Sequence, residues 1–313
     1  MNSDEKVPKY YRHQLVEVKS YDEILQTLDA EGKLEGLPFM PEMMSYCRTQ
    51  IRVHRRADRT CVAGLGFRGM NATVFLQESR CDGSAHDGCQ RGCLLFWKEA
   101  WLKSAQGTPS FLRDATQDDI EATRALKSLV TRRADRYVCQ STELASATTG
   151  TFSRWDARPL LRDILHGELT VGGFLVIMGR AILNRCLGWG RKALIVGTKE
   201  KKSRGNLALS SGEWVKVKSA AQIQDHLDQE SNNCGLAFRP TMNEAIGGRY
   251  QVAFPIHQII IEQTGKMVRL SNTVALEGVT CQGACAANCP RSEYLYWRES
   301  WLDRVKVDVK VDV

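Results

Sequence analysis

The sequence predicts an α+β protein of two small β-barrel repeats, each with a short helix and a cysteine cluster, joined by a helical segment. Three observations predict it. The two ends of the 313-residue chain repeat one another, with residues 16–102 matching 215–302 at an offset of 199 that becomes 200 past mid-repeat. Within each copy, short alternating segments are punctuated by turn residues, the pattern of small barrels. Each copy also carries three cysteines in a short window.

The repeat is dense in residues that are costly to match by chance. Val16, Val18, Lys19 and Ser20 recur as Val215, Val217, Lys218 and Ser219. Gly36, Leu37, Phe39, Pro41 and Met43 recur as Gly235, Leu236, Phe238, Pro240 and Met242. Trp97, Glu99 and Trp101 recur as Trp297, Glu299 and Trp301. The implied plan is a first repeat over 1–103, a helical connecting segment with a basic linker over 104–212, and a second repeat over 213–313.

Each copy opens with alternation, Leu15 to Lys19 and Trp214 to Lys218, which reads as a half-buried strand. Ser20 with Glu23, and Ser219 with Gln222, have capping-box spacing, so a helix starts there. Ile24 and Leu28, like Ile223 and Leu227, give it an apolar stripe. Ile51 to Arg55 reads as the next strand, with Ala253 to Glu262 as a longer counterpart. Thr73 to Leu76 and Thr273 to Leu276 follow. A reverse turn at Thr264-Gly265-Lys266 joins the last two strands of copy 2, and the loop Gly64 to Gly69 replaces it in copy 1. Trp97 and Trp101 have helical spacing and read as core side chains. Glu99 and Glu299 read as buried ion-pair partners of Arg91 or Arg291.

In the connecting segment a helix is expected from Asp118 to Arg133, with acids at its start and Arg132-Arg133 at its end. Others are expected over Pro159 to His166 and Gly173 to Leu187. The last is amphipathic and suits either burial between the repeats or peripheral membrane contact. Lys199 to Arg204 is a basic linker.

The opening Val-x-Val-Lys-Ser pattern after Gly212-Glu213 resembles the first strand of an SH3-like barrel. Gly36 to Met43, Cys81 to Cys89 and Tyr296 to Glu299 resemble an uncharacterised bacterial family of duplicated SH3-like, cysteine-rich domains. The resemblance covers most of the chain and implies two SH3-like repeats, with no activity attached to it.

Net charge is +7, a weak signal for nucleic acid when spread over this length. No apolar leader follows Met1 and no 18-residue apolar run occurs, so a cytoplasmic chain without a transmembrane segment is expected. Disulfides do not persist in a reducing compartment, so the eleven cysteines read as metal ligands, redox groups or core residues. Cys186 and Cys234 read as small buried hydrophobes.

Cys81, Cys89 and Cys93 have the spacing C-x7-C-x3-C, and His86 lies inside the window. Three thiolates and one imidazole complete a tetrahedral zinc site. Cys281, Cys285 and Cys289 have the spacing C-x3-C-x3-C without a histidine. There the fourth ligand falls to Glu293, His257 or water. Zinc is the expected cofactor, with iron or an iron–sulfur cluster as the alternative. Cys47 and Cys61 lie in the same copy and can replace His86, whereas Cys139 of the connecting segment, as a lone cysteine, reads as inert. Plain buried cysteines are the competing explanation.

No nucleophile elbow, phosphate loop or dinucleotide fingerprint occurs. The expected function is a metal-binding tandem-barrel module for protein interaction or scaffolding, with the metal mainly structural. The alternatives are a hydrolytic or oxidative metal enzyme with an open site in one repeat, and nucleic-acid binding through Arg52, Arg55 and Arg56.

Overall fold

A computed structural model describes residues 8–110, 129–152, 158–187, 195–197, 205–281 and 288–305, with backbone alone at 158–159 and 180–187. The chain divides into two compact units. Unit 1 holds Met1–Leu175, Ile260–Val268 and Ala286–Arg291. Unit 2 holds Val176–Ile259, Arg269–Cys285 and Ser292–Val313.

In unit 1, β1 (Leu15–Val18) is followed by α1 (Tyr21–Leu25). Both hydrogen bonds of the Ser20–Glu23 capping box are present, so the helix starts where the sequence places it. The helix lasts one turn, and Leu28 lies beyond it, half-buried against the core. The later strands are β2 (Gln50–Arg56), β3 (Arg59–Val62), β4 (Gly66–Gly69), β5 (Thr73–Arg80), β6 (Leu94–Lys98) and β7 (Leu102–Ser104). Five of them form an antiparallel sheet in the order β6-β5-β2-β1-β7.

In unit 2, β8 (Trp214–Val217) leads into α4 (Ala220–Gln224), which Ser219 and Gln222 cap in the same way. The strands β9 (Arg249–Pro255), β12 (Thr273–Thr280), β13 (Tyr294–Arg298) and β14 (Leu302–Arg304) complete a sheet in the order β13-β12-β9-β8-β14. The two sheets therefore share one topology. Their irregularities match as well. The β2–β5 ladder shifts register between Val53 and Arg55, and the β9–β12 ladder between Val252 and Phe254. Such bulges bend and twist a strand at a fixed place.

Each sheet closes over an aromatic centre. Phe39 meets Trp101 edge-on at 5.4 Å, and Phe238 meets Trp301 at 5.3 Å. All four tryptophans of the repeat are fully buried. Edge-to-face geometry suits the ring quadrupoles, so these contacts stabilise beyond the area they bury.

Several expected elements differ. Trp97 lies on β6 and Trp101 ends a single 3-10 turn, Glu99–Trp101, so the i, i+4 spacing reflects a strand and a turn. Ala253 to Glu262 is not one strand. Pro255 ends β9, and Gln258–Ile260 (β10) pairs instead with Met267–Arg269 (β11). The turn at Thr264 to Lys266 thus closes β10–β11, and copy 1 has its own hairpin there, β3–β4, in place of a loop. Arg132 and Arg133 do not end a helix. They pair with Tyr137 and Arg136 across a tight turn, with Ala134 at φ +51°. Residues 118–128 of that expected helix lie outside the described residues. The other two helices form as α2 (Arg158–Leu165) and α3 (Val171–Leu187). The basic linker at 199–204 lies outside the described residues.

Candidate metal centre

The β5–β6 ladder ends in the pair Arg80 and Leu94, and one residue further Cys81 N–H donates to Cys93 O at 2.9 Å. Cys81 and Cys93 are thus direct cross-strand neighbours, twelve residues apart in sequence but adjacent in the sheet. The loop between them doubles back tightly. Gly83, at φ +71°, passes so close to Cys89 that an added Cβ would lie 2.1 Å from the Cys89 carbonyl oxygen. Only glycine fits there.

The segment from Tyr137 to Thr142 packs beside this loop. Gln140 fastens it to β6, accepting from Phe96 N–H and donating to Phe96 O, both at 2.8 Å. Cys139 and Cys81 both pack, partly buried, against the core of unit 1. Burial pushes the Cys81 thiol far up, and negative charge on Glu42, Cys93 and Cys139 pushes it further. Burial also raises Cys139. Both are neutral thiols at neutral pH, and neither is poised as a nucleophile.

Glu42, on the 3-10 helix Pro41–Tyr46, is buried beside them. Its Oε1 accepts Ala85 N–H at 3.2 Å and lies 2.5 Å from His86 Nδ1. His86 Nε2 donates to Val138 O at 3.0 Å. Burial opposes charge on His86, but the hydrogen bond and charge of Glu42 outweigh it and raise its pKa. Both ring nitrogens are occupied, so His86 acts here as a bridge from Glu42 to the Val138 backbone. Glu42 Oε2 is buried with no hydrogen-bond partner. A buried anionic oxygen left unpaired is costly, and a bound cation is one way of satisfying it.

Cys89 is buried with Tyr137 and Ile260, and its Sγ accepts Ile260 N–H at 3.3 Å. In copy 2, Cys281 N–H donates to Glu293 O at 2.7 Å, so Glu293 occupies the position of Cys93. Cys281 belongs to unit 2 and Cys289 to unit 1. Cys285 lies outside the described residues. His257 is exposed. Among the described residues, no group of three or more His, Cys, Asp and Glu side chains converges to hold an ion as the side chains stand.

Three further expectations are corrected. Glu99 pairs with Arg56 at 2.6 Å, while Arg91 and Arg291 both pair with Glu262, at 2.9 and 2.8 Å. Glu299 accepts the backbone N–H groups of Ala208 and Leu209 at 3.2 and 3.1 Å. Both acids accept backbone N–H groups from the segment that precedes the first strand of their repeat, Glu99 from Lys9 at 3.2 Å and Glu299 from Ala208 and Leu209. Cys234 is exposed, since it sits in a turn at φ +47°. His54 is half-buried, and burial lowers its pKa.

The basic strand β2 is largely spent on internal pairing. Arg56 is buried, and although burial opposes its charge, Asp58 and Glu99 hold its pKa above the usual value. Arg55 bonds Asn288 at 2.7 Å, and Arg52 bonds the His13 carbonyl at 3.0 Å.

The two sheets of shared topology define a tandem β-repeat protein. Comparison with protein-family models, curated proteins and solved structures finds no match. No helix among the described residues is long and apolar enough to cross a membrane.

Proposed function

We propose that the chain is a metal-binding tandem protein of SH3-like repeats, acting as an interaction or scaffold module in the cytoplasm, with a soft ion such as zinc as structural glue in unit 1. The observation that carries this reading is the buried Glu42 Oε2, which has no hydrogen-bond partner, in the unit where Cys81 and Cys93 are cross-strand neighbours. Three sulfurs and one carboxylate oxygen make a donor set that zinc accepts. Binding would displace the thiol protons and turn a costly buried carboxylate into a ligand. The expected ligand set is thereby revised, with Cys139 and Glu42 in place of Cys89 and His86, and His86 orienting Glu42 from behind. That role for an imidazole–carboxylate contact is common around metal ligands. Burial raises the pKa of the Cys81 and Cys139 thiols, which favours a structural role for them over nucleophilic catalysis.

The test is elemental analysis of the full chain purified under reducing conditions, beside Cys81→Ser, Cys139→Ser and Cys89→Ser. One zinc per chain that is lost in the first two variants and kept in the third supports the reading. A metal-free wild-type protein, or zinc lost only in Cys89→Ser, overturns it.

A further inference from the structure

We infer that the solvent face of the unit 2 sheet, built on Trp214, Lys216 and Arg249, is a docking surface for single-stranded nucleic acid. Burial alternates along β8, so Val215 and Val217 enter the core while Trp214 and Lys216 face water. Trp214 is 39% exposed. In the ladder with β9, Trp214 stands opposite Gln251, and Lys216 stands opposite Arg249, which is also exposed. Opposed residues of an antiparallel pair share a face, so one indole and two cations present themselves together.

Neither Lys216 nor Arg249 has a hydrogen-bond or ion-pair partner among the described residues. Like charges directly opposite one another weaken a ladder, so this pair costs stability. The nearby acids are committed to other groups. Asp303, the neighbour of Lys216 on β14, lies 3.7 Å from Lys218, and Glu213 pairs with Arg304 at 2.7 Å. Gln251, with its amide turned to suit both neighbours, accepts from Trp214 Nε1 and donates to Glu277 Oε2, both at 3.2 Å. That bridge fixes the indole and engages the Glu277 carboxylate.

The first repeat closes the same face on itself. Leu15, Glu17 and Gln50 hold the positions of Trp214, Lys216 and Arg249. Leu15 is buried, Lys103 reaches Glu17 at 3.1 Å, and Gln50 Nε2 donates to Glu17 at 3.5 Å. The fold therefore requires neither an exposed indole nor opposed cations at these positions, and copy 2 alone carries them. An aromatic platform beside uncompensated cations suits a strand that offers bases to stack and phosphates to neutralise. An acidic peptide answers the cations but gives the indole nothing to stack on. The arginines of β2 in unit 1 are held by internal contacts, which leaves this role to unit 2.

The experiment is fluorescence anisotropy of a labelled oligothymidylate titrated with the full chain. Wild-type protein is expected to bind at low salt, and raised salt to weaken binding steeply. The double variant Lys216→Glu, Arg249→Gln installs the residues of the first repeat and should remain folded by circular dichroism. Its binding should fall on the order of tenfold or more, with a flatter salt dependence. Trp214→Leu likewise copies Leu15 and should weaken binding about tenfold through lost stacking. No binding by the wild-type chain, or equal binding by wild type and either variant, overturns the proposal. Equally tight binding of a labelled poly-aspartate peptide, indifferent to Trp214→Leu, also overturns it and assigns the face to an acidic protein segment.

Discussion

The indole N–H of Trp97 donates to Ser79 Oγ at 2.8 Å, wholly inside the core of unit 1. In the second repeat Val279 holds the position of Ser79, and Trp297 Nε1 is buried with no partner. Trp101 repeats the contrast, donating to Thr27 Oγ1 at 3.0 Å while Trp301 Nε1 has no partner. The duplicated core keeps its shape in both units, but only the first copy satisfies its indoles. Ser79→Ala is therefore expected to lower stability by about 1–3 kcal/mol, the cost of leaving a buried donor unpaired. Urea unfolding with the midpoint followed by tryptophan fluorescence measures it, and an unchanged midpoint would refute the role given to the hydroxyl.

Strands β5 and β12 bulge at equivalent places, where Glu78 has φ +55° and Gly278 has φ +70°. A left-handed residue with a Cβ is strained, and glycine is not. Nothing lies within 4 Å of a Cβ placed on Gly278, so a substitution there reports backbone strain alone. Gly278→Ala should destabilise by about 1 kcal/mol. Glu78→Gly should be neutral or stabilising by less than that, because glycine also loosens the unfolded chain. Paired thermal melts of the two variants check the opposite signs.

Glu262 sits between Arg91 and Arg291, and it also accepts Ala63 N–H at 2.8 Å. Burial opposes its charge, yet the two guanidinium groups outweigh this and lower its pKa. A lowered folded pKa means that its contribution is complete above the unfolded carboxyl value and disappears as the pH falls through the folded one. Stability should thus decline below about pH 4, and Glu262→Gln should flatten that decline. At neutral pH the same variant should cost about 3–5 kcal/mol, since it leaves buried arginines unpaired. Denaturation midpoints across the pH range would show a parallel decline in both proteins if Glu262 were not responsible.

Chelation offers a check on the thiol cluster that does not depend on any partner. If an ion links Cys81, Cys93 and Cys139, removing it should lower the melting temperature of wild-type protein and leave Cys81→Ser unmoved. Equal melting with and without chelator in both proteins would argue against the ion.

Elements set by local chemistry were legible in the chain itself. The caps at Ser20 and Ser219 need only neighbours three residues away, and both formed as the spacing dictates. The burial of Trp97 and Trp101 was readable from their recurrence at Trp297 and Trp301, although their spacing suggested a helix where a strand and a 3-10 turn stand. The site was less legible, because its members meet through pairing across the sheet. The Glu42–His86 contact did leave a trace. The copy with Ala286 in place of His86 also has Thr241 in place of Glu42, and two partners absent together are what a contact predicts. Cys139 left no such trace, since nothing in a lone cysteine reveals which loop it will face.

The sequence by itself determined the duplication, the order of the first strand and its helix, and the aromatic residues that fill each sheet, because these follow from periodicity and from contacts close along the chain. Tertiary structure decided which backbone groups the thiols face, which acid answers which arginine, and which leucines remain in water. Those outcomes depend on strand register and loop paths, where one bulge or one tight glycine redirects side chains that the linear spacing places together.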